Sequence, residues 1–190
     1  MITFNNASRT PRAGVKGPGA AAWLAGLGLP TPDAPNQWLP LEGGLIARLG
    51  ITEFLIEGPA SARCANVGTG HARDTVADRG HGPLLQSPGH GVYPVLRQDT
   101  MLVLQGTRLN DLLLETCSVN FLALDLNTRP VILTSIVGVG VTAIPGHDNG
   151  VPTLQLWCDS TYGDWLLETL TEVASELIHS THLINPGAAS

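Results

Sequence analysis

Apolar periodicity stops at Gly58, in the middle of the chain, and resumes only after Gly91. Glycines recur throughout this stretch, and His71, His81 and His90 lie among them. Such a long irregular stretch is uncommon inside a compact domain and is typical of a functional loop, an arm that wraps a partner, or disorder. We predict a Gly/His-rich loop or arm over about residues 60–91, with folded structure on either side.

The residues before this loop predict one helix and three strands. After a turn at Gly17-Pro18-Gly19, the composition of Ala20–Leu27 favours a helix that Gly28 and Pro30 end. The predicted strands are Ala13–Lys16, Leu45–Leu49 and Glu53–Glu57, and four prolines make the segment from Pro30 to Pro40 extended.

The residues after the loop predict a longer series of elements. The clearest is the last helix, which Asp159, Ser160 or Thr161 can cap. Its apolar stripe consists of Leu166, Leu170, Val173, Ala174 and Leu177. Before it we predict a strand at Met101–Gln105, a helix at Thr107–Cys117, one buried strand at Val131–Ile144 and a half-buried strand at Thr153–Trp157.

This order of elements indicates the fold class. Strand, helix and two strands occur early, and strand, helix, strands and helix occur late. We predict an α+β fold in which two related halves surround a largely antiparallel sheet with packed helices, and the length of 190 residues fits one domain or two small ones.

Gly17, Gly19 and Ala22 fit the phosphate-binding turn of dinucleotide-binding folds in its loosest form. That site would require an apolar strand before the turn, a long helix after it, and a parallel strand that ends in an acidic residue about 20 residues later. Here the preceding segment is Arg12–Lys16, the helix is short, and a proline-rich stretch follows. We therefore interpret the motif as a tight strand-to-helix turn.

Composition and charge narrow the possible partners. Charged residues make up 14% of the chain and hydrophobic residues 43%, a balance that suggests a surface covered by a partner. The formal charge of −6 argues against nucleic acid and anionic membranes as partners. The longest apolar run, Val131–Ile144, is shorter than a membrane span, and the N-terminus lacks the apolar core of a signal peptide.

The cysteines and histidines carry no recognisable site motif. Cys64, Cys117 and Cys158 form no C-x-x-C pair, which makes a reduced cytoplasm the simplest location, and we interpret Cys117 and Cys158 as small core residues. The separations of His71, His81 and His90 match no metal-ligand pattern, so we predict a solvated loop there. His179 and His182 are expected to cap the last helix.

Two polar features leave alternatives open. Asp164, Glu168, Glu172 and Glu176 are spaced by four and share one face of the last helix, which is either a solvated face or a patch for a basic partner. The sequence Arg97-Gln98-Asp99 is either a salt-bridged corner or a partner contact.

Four segments together resemble the gamma subunit of heterotetrameric sarcosine oxidase. They are "GVKGPGAAAWL", "PNQWLPLEGGLIARLGITEFLIEG", "YPVLRQDTMLVLQG" and "LTSIVGVGVTAI". The order matches from about Arg12 to about Leu177. This family resembles the folate-binding domain of the glycine-cleavage aminomethyltransferase, a duplicated α+β fold, so the resemblance implies one gamma-like domain over residues 1–190.

The resemblance places structural positions and assigns no catalytic, cofactor-binding or metal-binding residue to this chain. It puts Gly17, Pro18 and Gly19 on a strand-to-helix turn and Arg97, Gln98 and Asp99 at the start of the second half; Arg48, Leu49, Gly50, Glu53 and Phe54 fall on the first hairpin. The chain departs from the family pattern in its long insert and at Asp99-Thr100-Met101, where serine and histidine commonly follow the aspartate.

The resemblance also implies partners and cofactors. It implies alpha, beta and delta subunits around this chain, with FAD, FMN, NAD and tetrahydrofolate on those partners and none on the chain itself. The leading hypothesis is a non-catalytic assembly subunit of a flavin-dependent oxidase or dehydrogenase that acts on sarcosine or another N-methyl amine. The rival is a free-standing folate-binding or aminomethyltransferase-like protein, for which Asp99 and Glu53 are the carboxylates available to anchor a pteridine ring.

Overall fold

The computed structural model describes residues 1–65 and 89–184 of the chain. These residues form two compact units, which are Arg9–Arg97 (the first unit) and Met1–Ser8 with Gln98–Ser190 (the second unit). In chain order, the strands and α-helices are β1 (Ile2–Asn6), β2 (Arg12–Lys16), α1 (Ala20–Gly26), β3 (Gln37–Leu41), β4 (Gly44–Arg48), β5 (Glu53–Glu57), α2 (Ser61–Ala65), β6 (Tyr93–Val95), β7 (Thr100–Gly106), α3 (Leu109–Thr116), β8 (Ile132–Ile136), β9 (Val139–Asp148), β10 (Val151–Cys158) and α4 (Gly163–Ile184).

The first unit contains a five-stranded sheet in the order β3-β4-β5-β2-β6, in which all neighbours are antiparallel. Helix α1 packs against this sheet, because Leu24 lies in one buried cluster with side chains of β2, β4 and β5. The cluster consists of Val15, Ala20, Leu24, Leu29, Ile46, Phe54, Ile56 and Val92. Pro40 lies in β3, an edge strand, where a residue without an amide donor can be accommodated.

The second unit contains a five-stranded antiparallel sheet in the order β1-β7-β10-β9-β8. Leu102 and Leu104 of β7 lie opposite Leu156 and Leu154 of β10, and all four are fully buried. Helices α3 and α4 contribute side chains to the same cluster, among them Leu112 and Leu166, together with Leu170. Alternating burial along the two strands therefore gives the helices a continuous apolar surface to pack on.

Arg108, at the start of α3, ties the two helices together. Its Nη1 donates a hydrogen bond to the carbonyl oxygen of Leu177 in α4 at 2.8 Å. Its Nε donates to Asp111 Oδ2, also at 2.8 Å.

The prediction of one buried strand over Val131–Ile144 is wrong. This segment forms the hairpin of β8 and β9, whose turn residues are Val137, with φ of 45°, and Gly138, with φ of 83°. Positive φ at both turn residues matches the twist of a two-residue hairpin. Valine is unusual at such a position, and Gly138 was therefore the only local signal for the turn.

The α+β class is confirmed, with antiparallel strands divided between two sheets rather than one. Strands β1 and β6 were not predicted, and the extended segment before Pro40 ends in β3. The predicted loop at about 60–91 lies largely outside the described residues, as do His71 and His81. No helix in the described part of the chain has the length and apolar character to span a membrane.

Candidate functional sites

The glycine-rich turn has its backbone donors occupied. The N–H of Gly19 donates to the carbonyl oxygen of Gly91 at 3.0 Å, and the N–H of Ala20 donates to that of Gly17, also at 3.0 Å. Gly17 has φ of +119°, and a Cβ there would clash with the carbonyl oxygen of Gly91. The motif joins β2 to α1, and the backbone at Gly91, just before β6, packs against it. This arrangement supports its interpretation as a structural turn.

Arg48, the last residue of β4, has a structural role in the hairpin of β4 and β5. Its Nη1 donates to the carbonyl oxygens of Pro32 at 3.1 Å and Asp33 at 2.7 Å, and its Nη2 donates to that of Ile51 at 2.7 Å. The guanidinium also lies over the ring of Phe54, 5.6 Å from the centroid. Arg48 therefore fixes the proline-rich segment to the hairpin through backbone carbonyls, which need a donor.

Arg97 forms the ion pair that a salt-bridged corner requires, which is one of the two alternatives for Arg97-Gln98-Asp99. Arg97 Nη2 donates to Glu53 Oε1, and the two side chains are 15% and 39% exposed. The carboxylate of Glu53 is thus already engaged by a guanidinium, which weakens it as an anchor for a pteridine ring.

Asp99 lies in the second unit, beside the end of β10. It lines an open groove of about 410 Å³ together with Trp157, Cys158 and Asp159, and with Leu133, Thr134, Gly140, Val141 and Thr142. Asp99 is half-buried. The groove thus combines a carboxylate with partly apolar walls, the two features that a pteridine site needs, while Trp157 itself is only 3% exposed.

The described cysteines differ in burial. Cys64 in α2 is half-buried, and burial raises the pKa of its thiol to about 11. Cys158 is buried, as predicted, and its pKa is raised by burial and then by the carboxylates of Asp159 and Asp99. Cys117 is half-buried, and its Sγ lies 3.6 Å from Thr134 Oγ1. Protonated thiols are poor nucleophiles, so a raised pKa works against catalysis at Cys64 and Cys158.

Asp159 precedes α4 and caps the short 3-10 turn that leads into it. Its Oδ1 accepts hydrogen bonds from the N–H of Thr161 at 2.8 Å and the hydroxyl of Thr161 at 2.7 Å. These two hydrogen bonds lower the pKa of Asp159. Asp159 therefore caps the turn Ser160–Tyr162 that precedes α4, and the other two candidates, Ser160 and Thr161, lie within that turn.

The acidic row on α4 is exposed along its length. Asp164, Glu168, Glu172 and Glu176 are all exposed, and Trp165, 49% exposed, lies beside them. Both interpretations of this row, a solvated face and a patch for a basic partner, require that exposure.

The histidines form no described site. His90 is exposed in the turn before β6, and the side chains of His179 and His182 fall outside the described part of the structure. Within residues 1–65 and 89–184, no three His, Cys, Asp or Glu side chains come together as metal ligands.

A buried ion pair is the feature that the sequence pattern missed. Arg12 Nε lies 3.7 Å from Glu57 Oε2, and the two side chains are 4% and 6% exposed. They are partners in the register of β2 and β5, in which Arg12 is opposite Glu57. The local signal was weak, because each charge stands at the end of an apolar strand and looks like a boundary residue.

Comparisons with protein-family models and with curated protein sequences give no match. Several solved structures share the fold, among them two enzymes. A chain of heterotetrameric sarcosine oxidase from Corynebacterium sp. U-96, in complex with pyrrole 2-carboxylate, superposes with a TM-score of 0.66 at 19% identity, over 92% of this chain and 84% of that one.

The second is glycine cleavage system aminomethyltransferase T from Bartonella henselae, with a TM-score of 0.60 at 14% identity. The superposition covers 89% of this chain and 45% of that one, so this chain spans less than half of that enzyme. At such identities the likeness shows the fold alone. The chain has the mixed fold with antiparallel sheets that these two enzymes contain.

Proposed function

We propose that this chain is a non-catalytic assembly subunit of a multisubunit, flavin-dependent oxidase or dehydrogenase that acts on sarcosine or another N-methyl amine. The observation that carries the proposal is the mutual coverage of 92% and 84% with one chain of a heterotetrameric enzyme. Two chains of similar length share the fold nearly end to end. The likeness therefore concerns a whole subunit, in agreement with the gamma-like segments of the sequence.

The surface supports an assembly role. Several large apolar side chains are exposed, including Leu96 at 68%, Leu122 at 66% and Leu114 at 60%, in a chain with few charged residues. Exposed apolar surface of this kind marks contacts with other proteins when the residues cluster.

Under this proposal the chemistry belongs to the partners. FAD, FMN, NAD and the tetrahydrofolate site lie on the alpha and beta subunits, and a delta subunit completes the complex in the cytoplasm. Candidate side chains of this chain have structural contacts instead, as Glu53 has with Arg97.

The test is co-expression of the full chain with alpha, beta and delta subunits of a heterotetrameric sarcosine oxidase. Size-exclusion chromatography with flavin absorbance is followed by a sarcosine oxidation assay, with and without the chain. Co-elution with flavin, and loss of assembly or activity when the chain is omitted, supports the proposal. Elution as a free monomer with unchanged sarcosine oxidation contradicts it.

The groove beside Asp99 favours one second candidate, a folate-binding protein that works alone. Titration of the isolated chain with tetrahydrofolate tests it. Saturable binding that Asp99→Asn weakens, while Glu53→Gln leaves it unchanged, would support this alternative. An absence of saturable binding in the wild-type chain would remove it.

A further inference from the structure

A cavity of about 310 Å³ opens on the second unit, beside α3. It is bounded by α3, by the chain from Phe121 to Asn127, and by the hairpin of β9 and β10. Its inner wall is apolar and well packed, since Leu109, Leu113 and Leu154 are each 3% exposed or less and Phe121 is 8% exposed. The wall is therefore a fixed part of the hydrophobic core that reaches the surface.

The rim of this cavity carries exposed leucines. Leu122 is 66% exposed and lines both this cavity and a smaller neighbouring depression, which Leu114, 60% exposed, also lines. The two concavities share Asn110, Leu113 and Phe121 as well. The apolar surface is thus continuous across the rim. In protein–protein interfaces, such a surface lets one side chain of the partner fill the pocket while the residues around the pocket exclude water.

The rim of the cavity carries one carboxylate. Of the described residues that line the cavity, Asp125 is the only carboxylate and His147 the only other side chain that can ionise, and none is Lys or Arg. Asp125 Oδ1 accepts from the N–H of Asn127 at 3.0 Å and from its Nδ2 at 2.9 Å. Both hydrogen bonds use the same oxygen and restrain the carboxylate, so an ion pair between Asp125 and a ligand would cost little further side-chain entropy.

We propose that this cavity is the docking site for a segment of a partner polypeptide that inserts one large apolar side chain and places a Lys or Arg against Asp125. The volume lies at the lower limit of small-molecule pockets, about 300–1,000 Å³, and the exposed leucines extend the apolar surface beyond the cavity. Both facts favour a polypeptide over a small ligand. The inference rests on the proposed function, because the partner is one of the other subunits of the complex.

The test compares three variants of the full chain, each co-expressed with the alpha, beta and delta subunits. Leu122→Glu places a charge on the apolar rim and is expected to weaken assembly at least about tenfold. Asp125→Asn removes the charge but keeps Oδ1 as the acceptor for Asn127, and is expected to weaken assembly and reduce its dependence on salt. Ile51→Glu is the matched control, since Ile51 is 77% exposed in the first unit.

The apparent dissociation constants of the purified complexes decide the outcome. Melting temperatures of the same variants are measured alongside them. If wild-type chain and partners do not assemble, the proposed function fails and the docking site fails with it. If the wild type assembles and Leu122→Glu weakens assembly no more than Ile51→Glu, the docking site is wrong and the proposed function stands. Hydrogen exchange gives a readout independent of the variants: slower exchange of residues 120–127 on assembly supports the docking site, and unchanged exchange contradicts it.

Discussion

Arg12 and Glu57 show how much one residue pair depends on its surroundings. Each side chain is almost fully buried, and each is the other's register partner across β2 and β5. A buried charge is tolerated when an opposite charge lies beside it, and becomes a large penalty when that partner is removed.

Replacing Glu57 alone is therefore expected to be severe. Glu57→Leu leaves the Arg12 guanidinium buried without its carboxylate and should lower the free energy of unfolding by about 3–5 kcal/mol. The double variant Arg12→Met with Glu57→Leu should recover most of that loss, because no uncompensated charge remains. Denaturant unfolding of the single and double variants measures this.

The control is Asp111→Asn, in the exposed pair with Arg108, whose side chains are 51% and 30% exposed. It should cost less than about 1 kcal/mol. If Glu57→Leu and Asp111→Asn lower the free energy of unfolding equally, burial does not determine how much the Arg12–Glu57 pair matters for stability.

Two separate effects exclude a side chain at Gly17. Gly17→Ala combines a positive φ with a Cβ that clashes with the carbonyl oxygen of Gly91, and should destabilise the protein by more than about 1 kcal/mol. Gly26→Ala is the matched control, since Gly26 ends α1 and a Cβ added there would meet nothing within 4 Å. It should raise stability by up to about 1 kcal/mol. Melting temperatures that shift in the same direction for both variants would contradict this account.

At the scale of elements, periodicity predicts a helix or strand well when one face is buried. The predicted stripe of α4 contains Leu166 and Leu170, both fully buried, and Ala174 at 6% exposure. The alternation in β10 holds at Leu154 and Leu156, which are fully buried, and fails at Trp157, which is 3% exposed although the alternation places it on the opposite face. The hairpin of β8 and β9 was missed because Val131–Ile144 is a largely apolar run, and the turn within it contains one glycine, Gly138.

Leu170→Ala tests the packing of α4. Leu170 is fully buried in the cluster that joins the helices to the second sheet, so the variant should lose about 2–5 kcal/mol of stability. Thr171→Ala, one position along and exposed, should change stability by less than about 0.5 kcal/mol. Chemical denaturation of both variants measures the difference, and a loss for Leu170→Ala as small as that for Thr171→Ala would place α4 outside the core.

At the scale of the whole molecule, burial sets how its cysteines react. Burial raises the pKa values of the Cys64 and Cys158 thiols, so these two thiols stay protonated near neutral pH. A thiol reacts as its thiolate, so a pKa above the ordinary value lowers the reactive fraction at every pH below that pKa.

Alkylation of Cys64 by iodoacetamide is therefore expected to be slow and strongly dependent on pH. Since burial raises its pKa from 9.0 to about 11, alkylation at pH 8 should be about a hundredfold slower than in the unfolded chain. The rate should rise about tenfold per pH unit until the pH reaches the raised pKa. Peptide mass mapping of timed samples, with a urea-unfolded control, measures the rate. If the alkylation rate of Cys64 in the folded chain levels off near pH 9, burial does not raise the pKa of this thiol.

Local patterns were enough for the α+β class, for most helices and strands, and for the turn at Gly17-Pro18-Gly19, because period and turn chemistry act between residues close in the chain. The division into two sheets, the pairing of Arg12 with Glu57, and the hydrogen bond from Gly19 to Gly91 join residues far apart in the chain. The same is true of the cavity, which brings Leu113 and Asp125 together with Pro152. These features follow from long-range packing, where burial and pairing energies outweigh local preference, and no short stretch of sequence encodes them.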